Sequence, residues 1–142
     1  MPVHFYYEKS VRLNKRKELK RFIESIFTSE SKKLANLNYI FCNDANLLKM
    51  NKQYLQHDYF TDIITFDLSE SVSGPITGEV YISIDRVKDN ARIHQVPVDQ
   101  ELHRVIFHGA LHLCGYKDKT KAQQSEMRKK ENQYLGNYGI LR

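Results

Sequence analysis

A chain of 142 residues with 41% hydrophobic and 27% charged content has the composition of a folded domain, not of a disordered or fibrous chain. No apolar run approaches the roughly 20 residues that span a bilayer, the N-terminus MPVHFYYEKS does not read as a signal peptide, and the two cysteines, Cys42 and Cys114, belong to no CxxC pair. A reduced, cytoplasmic protein with no membrane partner is expected. Net charge is +5 and unevenly spread. Nine basic residues lie between Lys9 and Lys33 against Glu18, Glu24 and Glu30, and a second cluster comprises Lys117, Lys119, Lys121, Arg128, Lys129 and Lys130. Such clusters favour an anionic partner such as nucleic acid, or are simply the solvated faces of helices.

In chain order, Val3 to Tyr7 is rich in β-branched and aromatic residues and predicts a strand. From Asn14 to Phe27, Leu19, Phe22, Ile23, Ile26 and Phe27 recur at helical spacing, with Asn14 as the expected N-cap. Leu37 to Cys42 predicts a second strand, and Asn43 or Asp44 caps a helix over 45–54. Thr61 to Phe66 and Gly78 to Ile84 read as two further strands separated by turn residues. Helices are expected over 85–95 and from an Asp99 cap to Cys114, the latter burying Leu102, Val105, Ile106, Gly109 and Leu113. Thr120-x-x-Gln123 matches a capping box for a last polar helix ending near Gly136. The expectation is an α+β fold: a single domain over 1–142, with a mixed β-sheet of about four strands and about five helices.

The chemistry concentrates in His108-Gly-Ala-Leu-His112-Leu-Cys-Gly115-Tyr-Lys-Asp118. Two histidines four apart share one face of a helix. Gly115 can end that helix in the left-handed conformation and turn the chain back. Asp118 on the returning chain can then bring a carboxylate to both imidazoles. Two nitrogens, one oxygen and an open fourth position make the ligand set of a catalytic zinc site, one ion per chain. The spacing resembles the zinc-peptidase signature HExxHxxGxx[HD] on a zincin-like metal helix, but the glutamate that serves those enzymes as general base is Gly109 here.

Beyond that signature, His108-Gly-x-Leu-His112-Leu-x-Gly115-Tyr116 resembles the motif of the YbeY family, bacterial metal-dependent endoribonucleases of ribosomal RNA maturation. Leu48-x-x-Asn51-x-x-Tyr54, Asp58 and Thr61-Asp-Ile-Ile-Thr-Phe66 are similar to the family block LNxxYRxxDxPTDVLSF, and Gly78-Glu-Val-Tyr-Ile-Ser83 to its GDIxIS strand. The resemblance implies a single YbeY-like metallohydrolase domain that is single-strand-specific and zinc-dependent. It further implies action in 16S 3′-end maturation and ribosome quality control, with ribosomal RNA precursor and the ribosome or its proteins as partners. Three positions depart from the pattern. The family's third histidine falls at Asp118, preceded by Lys117 where an aspartate is usual, and the arginine after the tyrosine is Leu55. Either Asp118 replaces the histidine as ligand, or it is the preceding aspartate displaced by an insertion.

No general base is evident. Asp62, Glu79 and Arg104 are candidate supporting residues, Arg104 because it stands one turn before His108 and can reach a bound phosphate. Asp62 and Glu79 read first as structural strand-end or hydrogen-bonding residues, and His57 and His103 as ordinary surface or core histidines. Two other functions fit the residues: a metallopeptidase-like hydrolase, and a non-catalytic RNA- or ribosome-binding protein with a structural metal. An open coordination position in a cleft marks an enzyme; a fourth protein ligand marks a structural site.

Overall fold

The computed structural model describes residues 1–141; residue 142, the last of the expected domain, lies outside the described residues. Its elements in order are β1 (Val3–Tyr7), α1 (Arg16–Ser29), β2 (Leu34–Cys42), α2 (Asp44–Leu55), β3 (Ile63–Asp67), β4 (Ile76–Ser83), α3 (Ile84–His94), α4 (Val98–Leu113) and α5 (Lys121–Tyr138). This is the α+β architecture expected, with four strands and five helices among the described residues. The sheet order is β1-β2-β4-β3; the first three strands run parallel and β3 pairs antiparallel with β4, so the sheet is mixed.

Strand alternation divides the apolar side chains between two faces. Leu37, Tyr39 and Phe41 of β2 with Val80 and Ile82 of β4 meet α1 and α4 in the main core, where Leu19, Ile23, Leu102, Ile106 and Phe107 are buried. Cys42, Ile64 and Leu47 form a smaller cluster on the other face, flanked by Met50, Phe66 and Tyr81. The layering puts α4 between the sheet and α5, so any residue on its remaining stripe opens toward α5 and the β3 edge.

Several boundaries differ from the sequence reading. Helix α1 begins at Arg16, because Lys15 is left-handed (φ 52°) and no side chain caps the helix; Asn14 is not its cap. Pro97, not Asp99, precedes α4, and Asp99 lies within the first turn beside Glu101, where acidic groups suit the helix dipole. Strand β2 starts at Leu34 through pairing of Leu34 with Ile76, across an irregularity before Asn36. Helix α5 runs past Gly136 to Tyr138, with Gly139 left-handed at its end (φ 86°), because the Tyr138 ring packs on Phe22, His103 and Phe107. The Asn43 cap of α2 and the Thr120–Gln123 capping box of α5 are both present.

One half-buried anchor fixes α5 against α1. Glu30, just past α1, accepts hydrogen bonds from the Tyr116 hydroxyl (2.6 Å) and the Tyr134 hydroxyl, with Lys130 Nζ at 3.4 Å. Burial works to raise the Glu30 carboxyl, but the two hydroxyls and the ammonium outweigh it and hold it below its ordinary range. A depressed folded-state pKa contributes stability above the unfolded carboxyl pKa of about 4.3, and loses it as pH falls through the lower folded value. Denaturant unfolding is therefore expected to show wild type more stable than Glu30→Gln at neutral pH, with the gap closing under acid; a gap constant down to pH 2 would refute this.

Candidate metal centre

Helix α4 carries His108 and His112 on its one stripe that neither the sheet nor α3 covers. The sheet side of the same turn explains Gly109: a Cβ there would stand 2.8 Å from Val80 Cγ1 and 3.2 Å from Ile63 Cδ1. Its missing side chain lets the helix lie close on β3 and β4, which brings the two histidines to the sheet edge. After Leu113 the helix closes in a Schellman arrangement: the Tyr116 N–H donates to the Leu111 carbonyl (3.1 Å) and the Gly115 N–H to the His112 carbonyl (3.0 Å). Gly115 takes φ 110°, which strains any other residue, and the chain turns back to place Asp118.

The three predicted ligands meet. Asp118 Oδ2 lies 3.2 Å from His108 Nε2 and 3.2 Å from His112 Nε2, and one donor atom from each residue falls within 4.8 Å of the others. Tetrahedral zinc with bonds of 2.0–2.2 Å needs donor separations of about 3.3 Å, so the set fits that ion. Asp118 thus stands where a third donor would complete a group with His108 and His112. Among the described residues no fourth histidine, cysteine or carboxylate joins the group. All three side chains line a cavity of about 570 Å³, walled also by β3, Asn90, His94, Glu101, Arg104, Arg128 and Glu131.

Behind His108 stands a group absent from the sequence reading. Glu131 of α5, only 7% exposed, accepts at Oε2 from His108 Nδ1 (2.6 Å) and at Oε1 from Arg104 Nη1 (2.9 Å). Burial works to raise the Glu131 carboxyl, but His108 and Arg104 hold it down and ionised. With Nδ1 committed to the carboxylate, Nε2 is the nitrogen turned toward Asp118, the arrangement by which an outer carboxylate fixes a metal-binding imidazole. Glu131 sits in the run Arg128-Lys-Lys-Glu131, which reads along the sequence as a solvated face; only its contact with a helix 23 residues earlier marks it.

The other candidates separate. Asp62 lines the cavity, half-buried; burial pushes its carboxyl up, the neighbouring His108 charge works against this, and Asn90 Nδ2 donates to its Oδ2 at 3.4 Å. Glu101, also in the wall, is raised by burial and by the Asp62 charge. Arg104 lines the cavity as expected, yet both of its terminal nitrogens are engaged, by Glu131 and by Asn132 Oδ1 (2.9 Å). Glu79 lies outside the cavity on the α2 face of the sheet, where the Tyr81 hydroxyl donates to it (3.1 Å). His103 is a core residue, its Nδ1 2.7 Å from the Asp99 carbonyl and its ring stacked on Tyr138; His57 stacks on Tyr59 at the surface. Leu55 lines the cavity without charge, while the exposed Arg128 guanidinium enters the same wall.

Residues 5–139 match the family model described as Endoribonuclease YbeY. This chain belongs to that family. It is similar to proteins named Endoribonuclease YbeY from Cytophaga hutchinsonii, 50% identical over 92% of this chain and 91% of the relative, and from Flavobacterium psychrophilum, 44% identical over 94% of each. The solution structure of TM1509 from Thermotoga maritima covers 96% of this chain and 91% of its own, at 27% identity and a TM-score of 0.65. The YbeY resemblance read from the three sequence blocks is thus borne out over most of the chain.

The peptidase comparison fails at Gly109. The Cβ direction at that position runs into Val80, so a glutamate there would enter the sheet instead of the cavity. Gly109→Glu is expected to destabilise the fold by at least the 1–3 kcal/mol of an overpacked core, about 2 kcal/mol at the midpoint, and to confer no peptidase activity. A thermal midpoint equal to wild type would refute it.

Proposed function

We propose that this chain is a single-strand-specific, zinc-dependent endoribonuclease, binding one zinc ion per chain through His108, His112 and Asp118. It acts in the cytoplasm, as one metallohydrolase domain, on ribosomal RNA precursor in 16S 3′-end maturation and ribosome quality control, with the ribosome or its proteins as partners. The observation that best supports this reading is a three-donor, open-sided centre in a cavity wall, in a chain whose relatives are named endoribonucleases. No helix is long and apolar enough to cross a membrane among the described residues.

Bound zinc supplies Lewis acidity at a phosphodiester and a nucleophile at neutral pH. The residues of the chain do the rest. Glu131 fixes the His108 ring and Arg104 compensates the Glu131 charge, so the wall is held by a buried ion pair instead of by solvent. Asp62 can hold a proton: it faces the cavity, Asn90 Nδ2 donates to its Oδ2, and burial raises its pKa toward the working range of a general base. Arg128 brings an exposed cation to the cavity wall, where Leu55 stands in place of the family's arginine, and Lys117 and Lys119 flank Asp118 with exposed charge suited to RNA phosphates.

Purified protein incubated with single-stranded RNA, matched duplex RNA and a peptide substrate tests the assignment. Cleavage of the single strand alone, stopped by chelator and restored by zinc, is expected. Peptide cleavage, or RNA cleavage indifferent to chelator, would contradict it.

A further inference from the structure

Charge on this molecule is concentrated away from the metal cavity. The nine basic and three acidic residues between Lys9 and Lys33 carry +6, whereas the whole chain carries +5, so everything else nets −1. Within that segment Lys9 is paired with Asp85, and Glu30 is taken by Lys130. Among the described residues, Arg12, Lys15, Arg16, Lys17, Lys20 and Arg21 make no ion pair with any carboxylate within 4 Å.

Placement makes the excess stranger. Lys15, Arg16 and Lys17 occupy the N-cap and first two positions of α1, whose end already carries the positive pole of the helix dipole and has no side-chain cap. Helices α2, α3 and α4 begin with acids, Asp44, Asp85 and Asp99 with Glu101, whereas α1 sets only Glu18 against its three cations and α5 opens on Lys121 with no acid in its first turn. Folding alone favours acids at the start of α1, so the cations oppose its stability.

They also line up. Arg16, Lys17, Lys20 and Arg21 stand at i, i+1, i+4 and i+5, one continuous stripe beside β1. The Arg16 guanidinium lies 5.1 Å from the Tyr7 ring centroid and Lys20 Nζ 5.3 Å from that of Phe5. Strand β1 is a sheet edge, and its Tyr7, on the same face as Phe5 and α1, is 38% exposed. Phosphate-binding cations interleaved with exposed aromatic rings are the two elements of single-stranded nucleic-acid binding.

We propose that the Arg16–Arg21 stripe of α1, with the exposed Tyr7 of β1, forms a second RNA-binding surface that holds the substrate's backbone outside the metal cavity. The identity of the polyanion rests on the endoribonuclease reading; the surface itself rests on charge complementarity. Strand β1 is the sheet edge opposite β3, which lines the cavity. Three strand spacings of about 4.8 Å put the two roughly 14 Å apart across the sheet. A long single strand can reach both, whereas an oligonucleotide that just fills the cavity reaches one.

The test compares wild type with the quadruple variant Arg16→Gln, Lys17→Gln, Lys20→Gln, Arg21→Gln, and with the solvent-facing double variant Lys17→Gln, Arg21→Gln should the quadruple not fold. Affinity for a long single-stranded RNA is read by anisotropy across a salt series, beside cleavage of the short oligonucleotide and zinc content. The quadruple variant is expected to lose at least about tenfold in long-RNA affinity near physiological salt. Its slope of log K against log salt should fall by about 3, at roughly 0.7 per lost phosphate contact, with short-oligonucleotide cleavage and zinc content unchanged. Unchanged long-RNA affinity and slope, beside intact cleavage, overturn the surface and leave the endoribonuclease reading standing. Wild type that neither binds nor cleaves RNA overturns both. Tighter binding to anionic phosphatidylglycerol vesicles than to RNA, lost in the same variants, overturns RNA as the occupant.

Discussion

Glu131→Leu is expected to lower zinc affinity by about 10–100-fold, the usual cost of removing an outer carboxylate from a metal-binding histidine, and to destabilise the fold by about 3–5 kcal/mol. Two separate effects are combined. The His108 Nδ1 partner at 2.6 Å disappears, freeing the ring to rotate away from Asp118, and the Arg104 guanidinium, 12% exposed, is left without its counter-charge in the cavity wall. The double variant Arg104→Leu, Glu131→Leu separates them. It removes the orphaned charge and should recover most of the stability, while zinc affinity stays low because His108 is still unanchored. Competition titration against a chromophoric chelator and denaturant unfolding read the two quantities independently; wild-type zinc affinity in either variant would show that Glu131 does not orient the ligand.

Asp118 is the second position where a large effect is expected. Asp118→Ala should lose zinc by more than the outer-carboxylate variant, because it removes a donor that stands 3.2 Å from both imidazoles. Asp118→His, which restores the residue usual in the family pattern, should keep the ion bound while adding one unit of positive charge to the centre. Stronger Lewis acidity then follows, since a neutral ligand donates less charge to the metal than a carboxylate. Zinc bound as well by Asp118→Ala as by wild type would place the third donor elsewhere.

The parts of this centre that were legible along the chain are those whose geometry is local. His108 and His112 are fixed by one helical turn, and Gly115 and Asp118 by the turn that follows, so spacing alone assembles three donors. Glu131 was illegible because nothing within its own helix distinguishes it from Lys129, Lys130 or Glu126; its role exists only where α5 crosses α4. The pairing of Arg104 with Glu131 and Asn132 is illegible along the chain for the same reason. Gly109 reads along the chain as part of the helix's buried side, and the structure identifies what it lies against: Val80 of the sheet. In the fold, strand and helix types followed from periodicity, while ends set by tertiary pairing did not. Leu34 joins β2 only through Ile76, and Tyr138 extends α5 past a glycine only through Phe22, His103 and Phe107.

The most direct measurement is zinc stoichiometry and RNA cleavage on the same preparations of wild type and His112→Ala. Wild type should carry one zinc per chain and cleave single-stranded RNA, losing both to chelator. His112→Ala, folded by circular dichroism, should carry none and cleave nothing. Cleavage that persists in the metal-free variant would contradict the assignment of His108, His112 and Asp118 as the catalytic metal centre.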